Sequence, residues 1–260
     1  MDYPFLISDI CFSILLLLLP IVWHYVSPSW GQDEFALPLS FSQGESLGVL
    51  DYNLLDAVKI PLQDPKTQYV ADSEDGFPAF GFKLGSDVKM ARRQILPDTL
   101  SQEFAILISA KPRTKKGGFI FAIVNPMDTI VELGVRIAPE TGAYTVLYLY
   151  YTDPSVDVNS HIIANFTVPK FNNKWVKFAF RVTLENITLF FNCTETETVL
   201  VHRNPLELVF DSASTLYLAQ AGPVIGEPYE DRKFKGPQIM ILMEDLKLYI
   251  ELMPDTERKD

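Results

Sequence analysis

Between Trp175 and Thr194 the chain alternates apolar and polar residues with a period of two, and this limits what it can build. Val176, Phe178, Phe180, Val182 and Leu184 fall on one side, with Lys177, Arg181 and Thr183 opposite. After a break at Glu185, Ile187, Leu189, Phe191 and Cys193 share one side; Asn186, Thr188, Phe190 and Asn192 share the other. Successive side chains of a strand point to opposite faces, so the segment is a hairpin with one buried face. This parity predicts a core-facing Cys193 and leaves Phe190 as an exposed aromatic that needs a cover.

The hairpin belongs to a longer series. Short β-type runs cover Phe104–Ala110, Gly118–Val124, Ile130–Ile137, Thr145–Tyr151, His161–Val168, Trp175–Leu184, Ile187–Thr194, Thr215–Ala219 and Ile239–Ile250. Turn clusters such as Lys116-Gly117-Gly118, Asn125-Pro126, Glu140-Thr141-Gly142 and Asp153-Pro154 separate them. Little helical periodicity appears apart from Asn53–Val58, where Leu54, Leu55 and Val58 make a short stripe. The expectation is an all-β, antiparallel β-sandwich with one short helix near the start.

The first thirty-one residues set the compartment. An apolar run from Ile10 to Trp23, interrupted by Pro20, precedes Ser29-Trp30-Gly31. That is the layout of a secretory signal peptide, and the run is shorter than the roughly 20 residues of a spanning helix. Asp2 and Asp9 stand where basic residues are usual, so an uncleaved anchor is the alternative. The organisation expected is a signal peptide over 1–31, a leading segment over 32–44, one domain over 45–252 and a polar tail over 253–260. The chain carries a net charge of −11, and losing Asp2 and Asp9 leaves −9. Bulk attraction to nucleic acid is therefore not expected.

Of the two cysteines, Cys11 lies in the signal, leaving Cys193 alone in the mature chain. Oxidising compartments consume thiols in pairs, so Cys193 is expected to be free and buried, to pair with another chain, or to have a partner outside this sequence. Only His161 and His202 remain for a Cys/His metal site, and no metal or other cofactor is expected. Three sequons begin at Asn165, Asn186 and Asn192, and strand parity turns each asparagine towards solvent, as glycosylation requires.

Asn173-Lys174-Trp175-Val176-Lys177-Phe178-Ala179-Phe180, followed by Ile187-Thr188-Leu189-Phe190-Phe191-Asn192-Cys193, resembles the paired strands of thrombospondin N-terminal-like, laminin-G-like domains. Gly76-Phe77-Pro78-Ala79-Phe80, Arg93-Gln94-Ile95-Leu96-Pro97, Gly117-Gly118-Phe119-Ile120-Phe121-Ala122-Ile123 and Tyr148-Leu149-Tyr150-Tyr151-Thr152-Asp153-Pro154 narrow it. They are similar to the N-terminal module of type XV and XVIII collagens, the multiplexins. The similarity runs in order from about Leu50 to Tyr249. It implies a laminin-G or concanavalin-like jelly roll in an extracellular matrix protein, often of basement membranes, without catalytic activity. The family's second cysteine, which would follow the last strand and pair with the Cys193 position, is missing before Asp260, and no Gly-X-Y tract is present. Oligomerisation, which the family draws from its collagenous parts, is not encoded in these residues.

Three functions are compatible with such a chain. A matrix module binding heparan sulfate weakly, or matrix proteins, would use basic clusters at Lys89/Arg92/Arg93, Lys111/Arg113/Lys115/Lys116 and Arg232/Lys233/Lys235. Lys and Arg make charge-assisted contacts to sulfate. Of these, Lys111, Arg113, Lys115 and Lys116, with Arg92 and Arg93 as partners, form the candidate glycosaminoglycan site. Scattered loop bases balancing Asp and Glu are the plainer reading. A glycoside hydrolase on the same sandwich needs two facing carboxylates. Glu195 and Glu197 have suitable spacing but sit in a Thr-rich hairpin end, and the adjacent Glu244 and Asp245 are expected on opposite faces. A calcium-dependent lectin-like or receptor-binding domain would draw on Asp128, Asp153 and Asp157, which form no dense motif.

Overall fold

Strands that are apolar on one face only are satisfied by stacking two sheets, and the computed structural model has that arrangement. It describes residues 49–225 and 240–251. The expected signal over 1–31, the leading segment over 32–44, the Arg232/Lys233/Lys235 cluster and the tail over 253–260 lie outside these residues.

The strands in chain order are β1 (Val49–Asn53), β2 (Gln68–Asp72), β3 (Pro78–Phe82), β4 (Val88–Ala91), β5 (Thr99–Leu100) and β6 (Phe104–Pro112). Next come β7 (Gly118–Val124), β8 (Val131–Ile137), β9 (Tyr144–Tyr151), β10 (Ile162–Pro169), β11 (Val176–Val182) and β12 (Asn186–Phe191). The last four are β13 (Thr194–Leu200), β14 (Leu208–Val209), β15 (Thr215–Leu218) and β16 (Ile241–Glu251). An eight-stranded sheet runs β13-β12-β11-β6-β16-β3-β2, with β1 also on β16. A six-stranded sheet runs β10-β9-β8-β7-β15-β4, and among the described residues β14 pairs with β5 alone. All pairings are antiparallel.

The core lies between the two large sheets. Phe166 of β10 meets Phe180 of β11 with ring centroids 5.7 Å apart, and Phe104 of β6 stacks on Tyr151 of β9 at 6.4 Å. Ile106, Ile108, Leu133, Val135, Leu147 and Leu149 are buried in the same cluster. Each large side chain removed from water contributes roughly 1.5–3 kcal/mol against chain entropy. The short helix near the start is a single 3-10 turn, Leu54–Ala57, whose first N–H groups are capped by the Asn53 side chain accepting from Leu55 N. Leu54, Leu55 and Val58 all face the core, as their stripe predicts.

β7 is buried on both faces. Its outer side packs Phe119, Ala122 and Val124 against Tyr150 and Tyr217 under Ala221 and Ile225 from the segment after β15.

Two expectations about the hairpin are corrected. Asn192 and Cys193 have φ of 48° and 64°, so they form the two-residue turn between β12 and β13 rather than extending the strand. Strand parity stops at Phe191. Cys193 is therefore exposed, not core-facing, and it is disulfide-bonded rather than a free thiol. Phe190 is 5 % exposed instead of open to solvent. It sits opposite the small Ala179 on β11, beside a register shift between Leu189 and Phe190 that bends the β12–β13 ladder.

A candidate polyanion-binding end and its acidic counterpart

β6 runs the length of the sandwich, about 27 Å for nine extended residues, and separates two chemically different ends. At its Pro112 end three loops meet. Lys115 O accepts from Glu140 N (3.0 Å), Pro112 O accepts from Asn173 N (2.8 Å), and Ala143 O accepts from Lys170 N (2.9 Å). The Glu140 side chain accepts a further bond from Asn172 N. The loops over 113–117, 138–143 and 169–175 thus share one surface. It carries Arg113, Lys115, Lys116, Lys170 and Lys174, all exposed, with Glu140 as the one acid of these loops. Among the described residues none of the five bases is ion-paired.

Lys170 and Lys174 were not legible as partners of the 113–117 loop. Nothing in the sequence announces that a turn 55 residues downstream packs beside it. Lys111, expected in the loop, belongs to β6 and is half-buried there, because the strand extends through Pro112. A small recess between Thr114, Lys115, Glu140 and Asn172 marks the seam of the loops.

The opposite end corrects the expectation for Arg92 and Arg93. Arg92 is fully buried, so it cannot meet a polyanion. Its Nη1 donates to Leu96 O, Pro97 O and the Asp98 carboxylate (2.8 Å), its Nη2 donates to Asp211 O, and its guanidinium lies over the Phe210 ring. Arg93 is exposed but adjoins Arg92 at the Phe104 end of β6, far from the 113–117 loop. The hydrogen-bonding fork of a buried arginine suits the task of tying down several loop carbonyls. Arg203 acts likewise, donating to Leu206 O, Gln102 O and Thr183 O beneath the Tyr151 ring.

Beside Arg92, Glu132 is wholly buried. Val124 pairs with Val131 and Ile123 with Leu133, so Glu132 is the extra residue of a bulge that redirects its side chain. Burial pushes its carboxyl up to about 7, against the lowering effect of a 2.6 Å bond from Ser214 Oγ; the Asp211 charge adds to the rise. Among the described residues Oε2 has no hydrogen-bond partner.

The candidate carboxylates for hydrolase chemistry fall elsewhere. Glu195 and Glu197 are exposed on β13, the edge strand. Glu244 and Asp245 share a face, contrary to expectation. A register shift between Met243 and Asp245 makes Glu244 an extra residue, and both acids lie on the outer side of β16. Glu244 accepts from Ser109 Oγ (2.8 Å) and Ser73 Oγ (3.0 Å). Asp245 is held above the usual carboxylate range by burial, then by the neighbouring Glu244 charge.

The calcium candidates have separate partners: Asp128 accepts from Tyr217 Oη, Asp153 from Ser155, and Asp157 faces His161. Among the described residues no group of three or more His, Cys, Asp or Glu is placed to hold a metal ion. Asn165 and Asn192 are exposed and Asn186 is half-buried.

Comparison with known proteins bears on this architecture. No family model matches the chain. Over 163 residues, 62 % of its length, it is 27 % identical to the human collagen alpha-1(XVIII) chain, and the match spans 9 % of that relative. The chain is thus similar to a type XVIII collagen, in line with the multiplexin resemblance carried by its strand motifs. Among solved structures it is similar to the heptameric SAP-like pentraxin of Limulus polyphemus, with 12 % identity, TM-score 0.45, and coverage of 70 % of this chain and 74 % of that one. Domains LG4-5 of mouse laminin alpha1 match with 11 % identity, TM-score 0.39, and coverage of 65 % and 42 %. Domain 4 of the Geobacillus stearothermophilus arabinanase AbnA matches with 14 % identity, TM-score 0.45, and coverage of 80 % and 85 %.

Proposed function

We propose that this chain is a secreted, non-catalytic module of the extracellular matrix that binds sulfated glycosaminoglycan through the loops over 113–117 and 169–175. The observation that carries the reading is the meeting of five exposed bases from two loops around a single glutamate, none of them ion-paired among the described residues. A linear polyanion crossing that end meets Arg113, Lys115, Lys116, Lys170 and Lys174 without displacing an ion pair among the described residues. The bulk charge of the chain opposes binding, but screening confines that opposition to about 8 Å at physiological salt. The contact is weak and salt-sensitive. In this reading the signal over 1–31 delivers the protein to the matrix, and Asn165, Asn186 and Asn192 carry glycans.

Heparin-affinity chromatography tests it. The protein is retained at low salt and elutes below physiological salt. Arg113→Ala, Lys115→Ala and Lys116→Ala together lower the affinity about tenfold, and adding Lys170→Ala and Lys174→Ala abolishes retention. Flow-through of the unaltered protein at low salt refutes the proposal, and retention indifferent to all five substitutions moves the site elsewhere.

A further inference from the structure

The end of the sandwich remote from the basic loops carries a cleft of about 370 Å³, between the wall 205–211 and the turn at Asp153–Ser155. The wall contains β14, which among the described residues pairs only with β5. Phe210 N donates to Asp98 O, and Leu208 stands opposite Leu100. Hydrogen-bonding groups alternate along an antiparallel strand, so Val209 between them turns its N–H and C=O away from β5, and Val209 itself lines the cleft. No described residue bonds either group. Val209 is 60 % exposed, and Pro154, Pro205 and Phe210 supply apolar lining. The rim is acidic, with Glu207 and Asp211 on the wall and Asp153 facing them.

The wall is also fixed from behind. Arg203 Nη1 and Tyr151 Oη both donate to Leu206 O, and Tyr151 Oη donates to Pro205 O as well. Arg92 Nη2 holds Asp211 O at the other end. Two buried guanidinium groups therefore present a short, rigid, unpaired strand edge. A partner strand meets little ordering cost on the protein side.

We propose that this cleft binds an extended peptide segment of a partner protein, added as a strand to β14, with alternate Lys or Arg side chains on the acidic rim and apolar side chains over Phe210. Backbone pairing gives such a site its affinity and side-chain pockets give it specificity. Charge decides the occupant: among the described residues three carboxylates line the rim and no base does, which favours a basic segment over a sulfated polymer.

The probe is acetyl-Lys-Val-Lys-Val-Lys-amide, titrated into the ¹⁵N-labelled full chain and followed by amide shifts. Shifts cluster at 207–211 and 153–155, with a Kd of about 10⁻⁴ M that weakens with salt. The Glu counterpart of the peptide does not bind. Glu207→Lys with Asp211→Lys weakens binding about tenfold or more. N-methylating the alternate peptide amides abolishes it, a test that leaves the protein unaltered. Equal binding of the Glu peptide, indifference to N-methylation, or shifts spread over other surfaces would overturn the proposal, as would the absence of any shift.

Discussion

Glu132 stands in the interior between Ser214, Arg92 and Asp211, with one carboxylate oxygen satisfied and the other left without a partner among the described residues. Its carboxyl is pushed up to about 7, against an ordinary value of 4.5 that the unfolded chain regains. The folded state therefore binds this proton more tightly than the unfolded state does. The associated stability is complete below about pH 4.5 and is lost as pH rises through 7, an effect on the order of 2–3 kcal/mol. Glu132→Gln removes the titration while keeping an acceptor for the Ser214 hydroxyl. Urea unfolding should show the variant more stable than the parent by roughly 1–3 kcal/mol at pH 8 and nearly equal at pH 5. A difference that does not change with pH would show that Glu132 is not the titrating group. This residue is not legible in the sequence, since a glutamate in a β-type run reads as solvent-facing until the bulge at Val131–Leu133 is known.

Elements differ in how plainly the sequence declares them. β10 and β11 announce themselves, because each buries one face and their apolar residues recur at every second position. β13 was missed as a strand. It is an exposed edge of alternating Thr and Glu, held by its ladder to β12 and by the Thr188–Thr198 hydroxyl pair, so burial leaves no imprint on it. The bulge at Met243/Asp245 breaks parity and accounts for the misplaced Glu244. Phe190 keeps the face that its parity predicts, opposite Ala179, and is buried there by neighbours that periodicity does not show, since the extra residue of the β12–β13 shift is Thr196 on β13. Close packing at two glycines gives a test of the strands themselves. A Cβ on Gly81 would strike the distal ring atoms of Tyr69, which lies over it from β2, whereas one on Gly134 would meet Val131 Cγ1 at 2.9 Å and, behind it, Phe121 O and Ala122 Cα of β7. A ring can swing away; a central backbone cannot. Gly81→Ala should cost about 1 kcal/mol, with much of the loss absent in a Tyr69→Ala background. Gly134→Ala should cost about 2–3 kcal/mol with no such rescue. Equal thermal shifts for the two would contradict the difference in what each glycine faces.

At the scale of the whole molecule the two ends behave as separate electrostatic sites. Arg113, Lys115, Lys116, Lys170 and Lys174 occupy one end of β6, and Asp153, Glu207 and Asp211 the other. The basic end was partly legible, because three of its bases lie together in sequence; the cleft was not, since its walls come from segments some 50 residues apart. About 27 Å of strand lies between the ends, more than three screening lengths at 0.15 M salt but less than one at 0.01 M. Glu207→Lys with Asp211→Lys changes the charge of the far end by four without touching the basic loops. Heparin affinity measured by titration at 0.15 M, where a column no longer retains the protein, should match that of the parent within about twofold, while at 0.01 M it should rise several-fold as the field of the far end reaches the polymer. A matching gain at both salts would mean that heparin contacts the substituted residues directly. A gain at neither would mean that the far end lies beyond the reach of the unscreened field. The salt dependence therefore reports the separation of the two ends in solution.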